Sequence, residues 1–182
     1  MEFEPQSIPD VVLVKPKVFG DDRGFFMEAW QARRFDDAGI GAAFVQENLS
    51  RSSRGVLRGL HYQITRPQGK LVRVVGGEVF DVAVDLRRSA PTFGRWVGVH
   101  LSADNKHGLW IPPGFAHGFY VISESADFLY SCTDFYDPED ERCVRWDDTT
   151  LAIAWPLSDG APPVVSDKDR AGAAFADADV YP

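Results

Sequence analysis

The sequence predicts an all-β sandwich or barrel, and three observations carry that prediction. Short apolar runs recur at regular spacing, each broken by Gly, Pro or Asp. One of them, Val79 to Leu86, alternates strictly: Phe80, Val82, Val84 and Leu86 fall on one face and Val79, Asp81, Ala83 and Asp85 on the other, the period of a strand. Hydrophobic residues make up 45% of the chain and aromatic residues 13%, which excludes disorder and suits a strand-rich core. At 182 residues, the chain has the length of one sizeable core, so a single domain over residues 1–182 is expected.

Each element follows from local pattern. Asp10 to Lys17 is a short alternating run that Pro16 ends; Phe19-Gly20-Asp21-Asp22-Arg23-Gly24 reads as a turn and Phe25 to Glu28 as a second strand. Gln31 to Asp37 mixes charge with Phe35 and is closed by Ala38-Gly39, the one notable helix. Phe44 to Ser50 alternates, placing Gln46 and Asn48 on a common polar face, as in a solvent-exposed edge strand. Leu71–Val75 and Val79–Leu86 read as the arms of a β-hairpin about Gly76-Gly77-Glu78, because glycine adopts φ > 0 without a Cβ penalty. Trp96 to Leu101, Phe119 to Ser123 and Asp127 to Asp134 are further strands, with a loop at Ser102–Gly108 and a turn at Ser123–Ala126. From about Asp147 the chain turns rich in Ala, Asp and Pro, a tail expected to wrap the barrel.

Composition removes several function classes. A formal net charge of −8 argues against general nucleic-acid binding, which draws its affinity from cationic charge, but leaves room for a small phosphorylated ligand held by a local cluster of arginine and lysine. No apolar run approaches the roughly 20 residues of a membrane helix. Met1 to Gln6 is acidic and lacks the basic and apolar segments of a secretory signal, so a cytoplasmic location is expected. Cys132 and Cys143 form no Cys-x-x-Cys pair and read as free buried thiols.

Arg58, His61 and Lys70 interrupt this apolar pattern. Desolvating an unpaired cation inside a sheet costs several kcal/mol, so these side chains fit a wet pocket better than a core. Pro112-x-Gly114-x-x-His117 resembles half of the second signature of the cupin superfamily. Metal-binding cupins pair it with an earlier His-x-His; here Tyr62 and Gln63 follow His61, the second histidine is missing, and a metal would have only His61, His117 and distant carboxylates. A site without metal or cofactor is expected.

A wider set of segments occurs in one order: Arg23-Gly24-x-Phe26-x-Glu28, Gln46-x-Asn48, Gly55 to Gln63, Gly69-Lys70, Val79 to Asp85, Pro91-Thr92-Phe93-Gly94, Gly114 to Phe119 and Ser166-x-Lys168-Asp169. Together, from about Ile8 to Asp169, the chain closely resembles the dTDP-4-dehydrorhamnose 3,5-epimerase family. The resemblance implies a cupin-like jelly roll (double-stranded β-helix) and a homodimer, with an N-terminal strand packing on the partner's sheet. It also implies cofactor-free inversion at C3 and C5 of dTDP-4-dehydro-6-deoxy-glucose to dTDP-4-dehydro-rhamnose, a deoxysugar of lipopolysaccharide and cell-wall polysaccharide.

Both carbons flank the C4 ketone, so the chemistry requires a base, a partner for the enolate oxygen and an acid on the opposite face. By the same resemblance His61 is the base, Asp169 orients it, Lys70 stabilises the enolate and Tyr130 is the acid. Tyr136 stacks on thymine, and Arg23, Glu28, Gln46, Glu47, Asn48, Arg58, His117, Glu141 and Lys168 hold nucleotide and sugar; Arg23, Arg58 and Lys168 suit the diphosphate. Arg142 departs from the family, where glycine more often follows the acidic residue, which puts the loop bearing Glu141 in question. His100 and His107 match no functional position. Two rivals stand beside this reading: an epimerase that inverts only C3 or only C5 in an antibiotic-sugar pathway, and a non-catalytic nucleotide-sugar-binding cupin. The joint presence of His61, Asp169, Lys70 and Tyr130 speaks against the second.

Overall fold

The computed structural model describes residues 1–158 and 161–182. In chain order the strands are β1 (Glu2–Pro5), β2 (Val12–Lys15), β3 (Val18–Asp21), β4 (Gly24–Met27), β5 (Gln46–Ser53), β6 (Leu57–Gln63) and β7 (Lys70–Gly76). They continue with β8 (Glu78–Asp85), β9 (Trp96–Ser102), β10 (Gly108–Ile111), β11 (Phe115–Val121), β12 (Ser125–Cys132) and β13 (Glu141–Cys143). Helix α1 (Ala32–Asp37) and the single turn α2 (Asp167–Arg170) are the α-helical elements. Two antiparallel sheets face each other, one ordered β1-β2-β10-β7-β12-β5 and the other β13-β6-β11-β8-β9, while β3 and β4 form a separate two-stranded arm. The expected all-β jelly roll is the observed fold.

Alternation builds the core. Val72 and Val74 of β7 and Phe128 of β12 meet Val79 and Ala83 of β8 and Phe119 and Val121 of β11 between the sheets. The opposite face of β8, with Val82 and Val84, packs outward against Leu60, Tyr62 and Val144 and against the tail residues Trp155, Phe175 and Tyr181. The tail is stitched on by backbone bridges from Val56 to Val164, Val144 to Ala173 and Arg87 to Tyr181. On the outer face of the six-stranded sheet, Val12, Val14, Leu71 and Trp110 are covered by Phe35 of α1 and by Ile40 and Phe44. Gln31 caps α1 as its side chain accepts from the Arg34 N–H at 2.8 Å.

Two local expectations need correction. β7 and β8 are not a hairpin: β7 pairs with β10 and β12, and β8 pairs with β9 and β11. Both strands are buried on both faces, so each requires two in-sheet neighbours, and the glycine step instead carries the chain across the core from one sheet to the other. Gly77 makes that corner with φ +75°, and a Cβ there would lie 2.0 Å from the Ser125 carbonyl oxygen. The segment Phe19–Gly24 is not only a turn, since Val18–Asp21 pairs with Gly24–Met27. The first strand, β1, pairs with β2 of its own chain and forms one edge of the six-stranded sheet.

Candidate active site

A cavity of about 330 Å³ opens between the two sheets, with walls that include Gln46, Asn48, Arg58, His61, Lys70, His117, Tyr130, Tyr136, Glu141 and Lys168. Strand period places them. On β5, Gln46 and Asn48 point into the cavity, so the polar face of this edge strand is a wall and not a solvent face. On β6, His61 stands in register with His117 of β11 and with Cys143 of β13. Next to this pair the strands close up at Gly59 and Gly118: a Cβ on Gly59 would come within 2.5 Å of the Gly118 Cα.

His61 Nε2 lies 2.5 Å from Asp169 Oδ1. Asp169 reaches this point because Ser166 caps α2, its hydroxyl accepting from the Asp169 N–H at 3.1 Å. Burial works to raise the Asp169 carboxyl, but hydrogen bonds and charge from His61, with Ser166 and the Gly59 backbone, outweigh it and hold the group below the usual carboxylate range. Asp169 is therefore an anion at neutral pH. With Nε2 taken, Nδ1 is the ring nitrogen of His61 left for a ligand.

The opposite sheet supplies Lys70 and Tyr130. Lys70 is buried; desolvation pushes its ammonium below the ordinary lysine range, against the opposing influence of Cys132 and Asp81. Tyr130 sits in register with Asn48 and Val72. Burial and the neighbouring Cys132 raise its phenol above 10.0, while Arg58 and Asn48 pull the other way, so it holds its proton at neutral pH. His117 Nε2 lies 2.9 Å from Asp81 Oδ2, and its ring stacks on Phe128 with centroids 5.9 Å apart.

At the mouth, Tyr136 donates its hydroxyl to Glu141 Oε2 at 2.8 Å, Lys168 is ion-paired with the same oxygen, and the Tyr136 N–H donates to Gln46 Oε1 at 2.9 Å. Gln63, which closes the Gly55 to Gln63 segment but is given no role there, anchors this loop by accepting from the Asp137 N–H and donating to the Phe135 carbonyl. Arg142 turns away, donating to Asp179 Oδ2 at 3.1 Å and to the Glu139 and Glu141 carbonyls, so it ties the loop to the tail without entering the cavity. Arg58 donates to Ser52 Oγ at 3.0 Å and keeps its remaining N–H groups for a ligand.

Besides Asp169, which stands behind His61, three sequence-predicted residues do not reach this cavity. Arg23 is almost fully exposed on the β3–β4 arm and paired with Asp21, and Glu28 is paired with Arg34. Glu47 follows the strand period to the other face of β5, where Ser131 Oγ donates to it at 3.0 Å. That face borders a larger cavity of about 860 Å³ beneath α1, walled by Trp30, Phe44 and Arg73 but offering no opposed acid and base. Ser50, Phe119, Phe128 and Cys132 also line the smaller cavity, hinted at only by the alternation of their strands, as does Gln68 from the loop between β6 and β7.

Among the described residues, His61, Cys143 and Asp169 are a grouping with metal-ligand atoms within 4.8 Å of one another, and His117 is outside it. Burial pushes the Cys143 thiol up to about 12, and Nε2 of His61 is held by a carboxylate. A protonated thiol beside a hydrogen-bonded imidazole suits an acid–base pair better than a metal centre.

A family model described as dTDP-4-dehydrorhamnose 3,5-epimerase matches residues 5–177. This chain belongs to that family. A dTDP-4-dehydrorhamnose 3,5-epimerase from Pseudomonas aeruginosa is 64% identical over 177 residues, covering 97% of each chain. Among solved structures, a dTDP-6-deoxy-D-glucose-3,5-epimerase from Legionella pneumophila in complex with dTDP-4-keto-L-rhamnose has a TM-score of 0.94 and 53% identity, covering 98% of this chain and 94% of that one. A 3'-monoepimerase from Streptomyces bikiniensis in complex with dTDP-quinovose is more distant, with 34% identity and a TM-score of 0.88 over 94% of this chain and 87% of that one. Solved structures similar to this chain thus include both a 3,5-epimerase and a 3'-monoepimerase.

Proposed function

We propose that this epimerase converts dTDP-4-dehydro-6-deoxy-α-D-glucose to dTDP-4-dehydro-β-L-rhamnose, inverting C3 and C5 without a cofactor, in the cytoplasmic synthesis of dTDP-L-rhamnose. The observation that carries the proposal is His61 on one sheet, backed by Asp169 from α2, with Tyr130 and Lys70 on the sheet facing it around a single cavity. His61 Nδ1 takes the proton from the carbon next to the ketone; the electron pair moves to O4, where the Lys70 ammonium meets the enolate charge. Tyr130 then gives its hydroxyl proton to the same carbon from the other face, and the configuration is inverted.

Each inversion leaves His61 protonated and Tyr130 ionised, so both must exchange a proton before the next. His61 is about a quarter open to solvent, with side-chain exposure of 28%, and the charge of Arg58 favours the transient phenolate. Arg58 and Lys168 receive the diphosphate and Tyr136 the thymine.

The β3–β4 arm supports a homodimer. It exposes Val18, Phe19, Phe25 and Phe26, an apolar surface that its own chain meets only with the Lys17 and Lys106 ammonium groups over Phe19 and Phe25 among the described residues, and carries Arg23 just ahead of Glu28. Residues implied in substrate binding yet remote from their own cavity fit an arm that reaches a second copy's cavity. Sedimentation of a Phe25→Ser/Phe26→Ser variant tests this, and an unchanged sedimentation coefficient overturns it.

The reaction is tested by proton NMR of the keto-sugar nucleotide in heavy water with a chelator present. Deuterium at both C3 and C5, with inverted product trapped by a reductase, supports the double epimerase. Deuterium at one carbon indicates a mono-epimerase, and none leaves a binding protein.

A further inference from the structure

Asp81 lies beneath the cavity floor and has no assigned role. The alternation of β8 turns it inward between Val79 and Ala83, into the core shared by the two sheets, where it is 0% exposed. One carboxylate oxygen meets His117 Nε2 at 2.9 Å; the other, Oδ1, is buried with no hydrogen-bond partner. A carboxylate in such a place costs several kcal/mol of desolvation unless cations compensate it, and a leucine or valine would serve the core better. Two cavity groups are within its influence. His117 is bonded to it, and Lys70, which among the described residues has no hydrogen bond or ion pair with a carboxylate, feels it as an opposing charge.

We infer that Asp81 is a positioning residue of the site: it fixes the His117 ring with Nε2 turned into the sheet and Nδ1 left for the ligand, and it is the buried counter-charge that keeps Lys70 an ammonium. This rests on the epimerase reading for its purpose but not for its geometry. An enolate partner must be cationic when the proton leaves carbon, and a lysine this deeply buried is drawn toward its neutral form. The other titratable or charged groups around the cavity with Lys70 are Arg58, His61 and Tyr62 from β6, His117 from β11, Tyr130 and Cys132 from β12, and Tyr136, Glu141 and Lys168 at the mouth. Arg58 is a like charge, and Cys132 is held in its neutral thiol form as burial raises it. Glu141, at the mouth, is already paired with Lys168. Asp169 is taken up by His61, and of the two groups that oppose the loss of charge on Lys70, Cys132 and Asp81, only Asp81 is a carboxylate.

The test is Asp81→Asn, which keeps the shape and removes the charge, read by NMR on ligand-free protein labelled in lysine and histidine side chains. The Lys70 signal, assigned with Lys70→Arg, is expected to titrate at a pH lower by about one unit or more than in the unsubstituted protein, the usual reach of one nearby charge. The His117 ring nitrogens are expected to change their pattern, as the acceptor at Nε2 is now an amide free to flip. A folded variant with both signals unmoved overturns the inference. Should Asp81→Asn not fold, the double variant Asp81→Asn/Lys70→Met removes both charges and is expected to fold; if it is no more stable than Asp81→Asn alone, Asp81 and Lys70 are not coupled and the inference falls. Failure of the epimerase reading shows separately, as absent deuterium exchange in the unsubstituted protein.

Discussion

Asp169→Asn isolates the charge behind the base. The carboxylate is 2.5 Å from His61 Nε2, its side chain is 5% exposed, and the asparagine is isosteric, so position is preserved and charge lost. The interaction is strongest when His61 has taken the substrate proton, because an imidazolium–carboxylate hydrogen bond then forms in a site shielded from water. Hydrogen bonds to charged groups contribute about 1.5–3 kcal/mol. At about 1.4 kcal/mol per factor of ten, loss of that bond slows proton abstraction about 10- to 150-fold. Asp169 is not among the residues walling the cavity, so KM is expected to move by less than about twofold, the mark of an interaction made chiefly in the transition state. Deuterium uptake at C3 and C5, followed by proton NMR near neutral pH, measures both sites at once. One base serving two carbons requires the same loss at each. A variant exchanging within about threefold of the parent protein, or slowed at one carbon alone, refutes the assignment.

Other perturbations follow from the same geometry. Tyr130→Phe removes the proposed acid but leaves His61 and Asp169 in place, so deuterium exchange at C3 and C5 should persist while reductase-trapped product disappears; full product formation removes Tyr130 from the mechanism. Gly77→Ala forces a Cβ to within 2.0 Å of the Ser125 carbonyl at φ +75°, and a fall in stability of about 2–4 kcal/mol is expected from the urea midpoint. The carboxyls of Asp85, Asp140, Asp148 and Asp169 are raised by burial but held below their ordinary range by stronger hydrogen bonds to Arg87 and Thr92, to Thr65 and Arg66, to the Phe175, Leu151 and Thr150 backbone, and to His61. A depressed folded value adds stability that is present above the unfolded value of about 3.9 and is lost as pH falls through the folded one. The urea midpoint should therefore hold across mildly acid pH and drop below about pH 4; a midpoint that rises there contradicts the sign.

Much of the fold is legible in the sequence because strand period is local. The alternation of Val79 to Leu86 assigns both faces of β8 correctly, and the alternation of Phe44 to Ser50 by itself separates Gln46 and Asn48 from Glu47. Resemblance nevertheless groups Glu47 with its neighbours, against that period. Strand partnership is less legible. A Gly-Gly step looks the same whether it closes a hairpin or turns a corner between sheets, and the choice is made by which neighbours bury β7 and β8, residues distant in sequence. The same holds for Asp169. Nothing within reach of Ser166-x-Lys168-Asp169 shows that it meets His61, 108 residues earlier; only the ordered resemblance brings them together. Arg23 and Glu28 are reached by the same route, and neither reaches the cavity of its own chain.

The two-sheet architecture and the chemistry require each other. Inverting a carbon through a planar enolate needs a proton removed from one face and returned to the other, so base and acid must stand on opposite walls with a thin space between. A strand-alternating sheet supplies side chains toward that space at every second residue, and a jelly roll sets a second such sheet against it. His61 and His117 from β6 and β11 confront Lys70 and Tyr130 from β7 and β12 in this way. The cost is that charged groups occupy positions a core would give to leucine or valine. Both histidines answer it with a carboxylate behind the ring, Asp169 from the tail and Asp81 from within the sheet. The tail therefore belongs to the proposed active site: the Val56–Val164 and Val144–Ala173 bridges hold α2 in place, with Lys168 in the cavity wall and Asp169 behind His61.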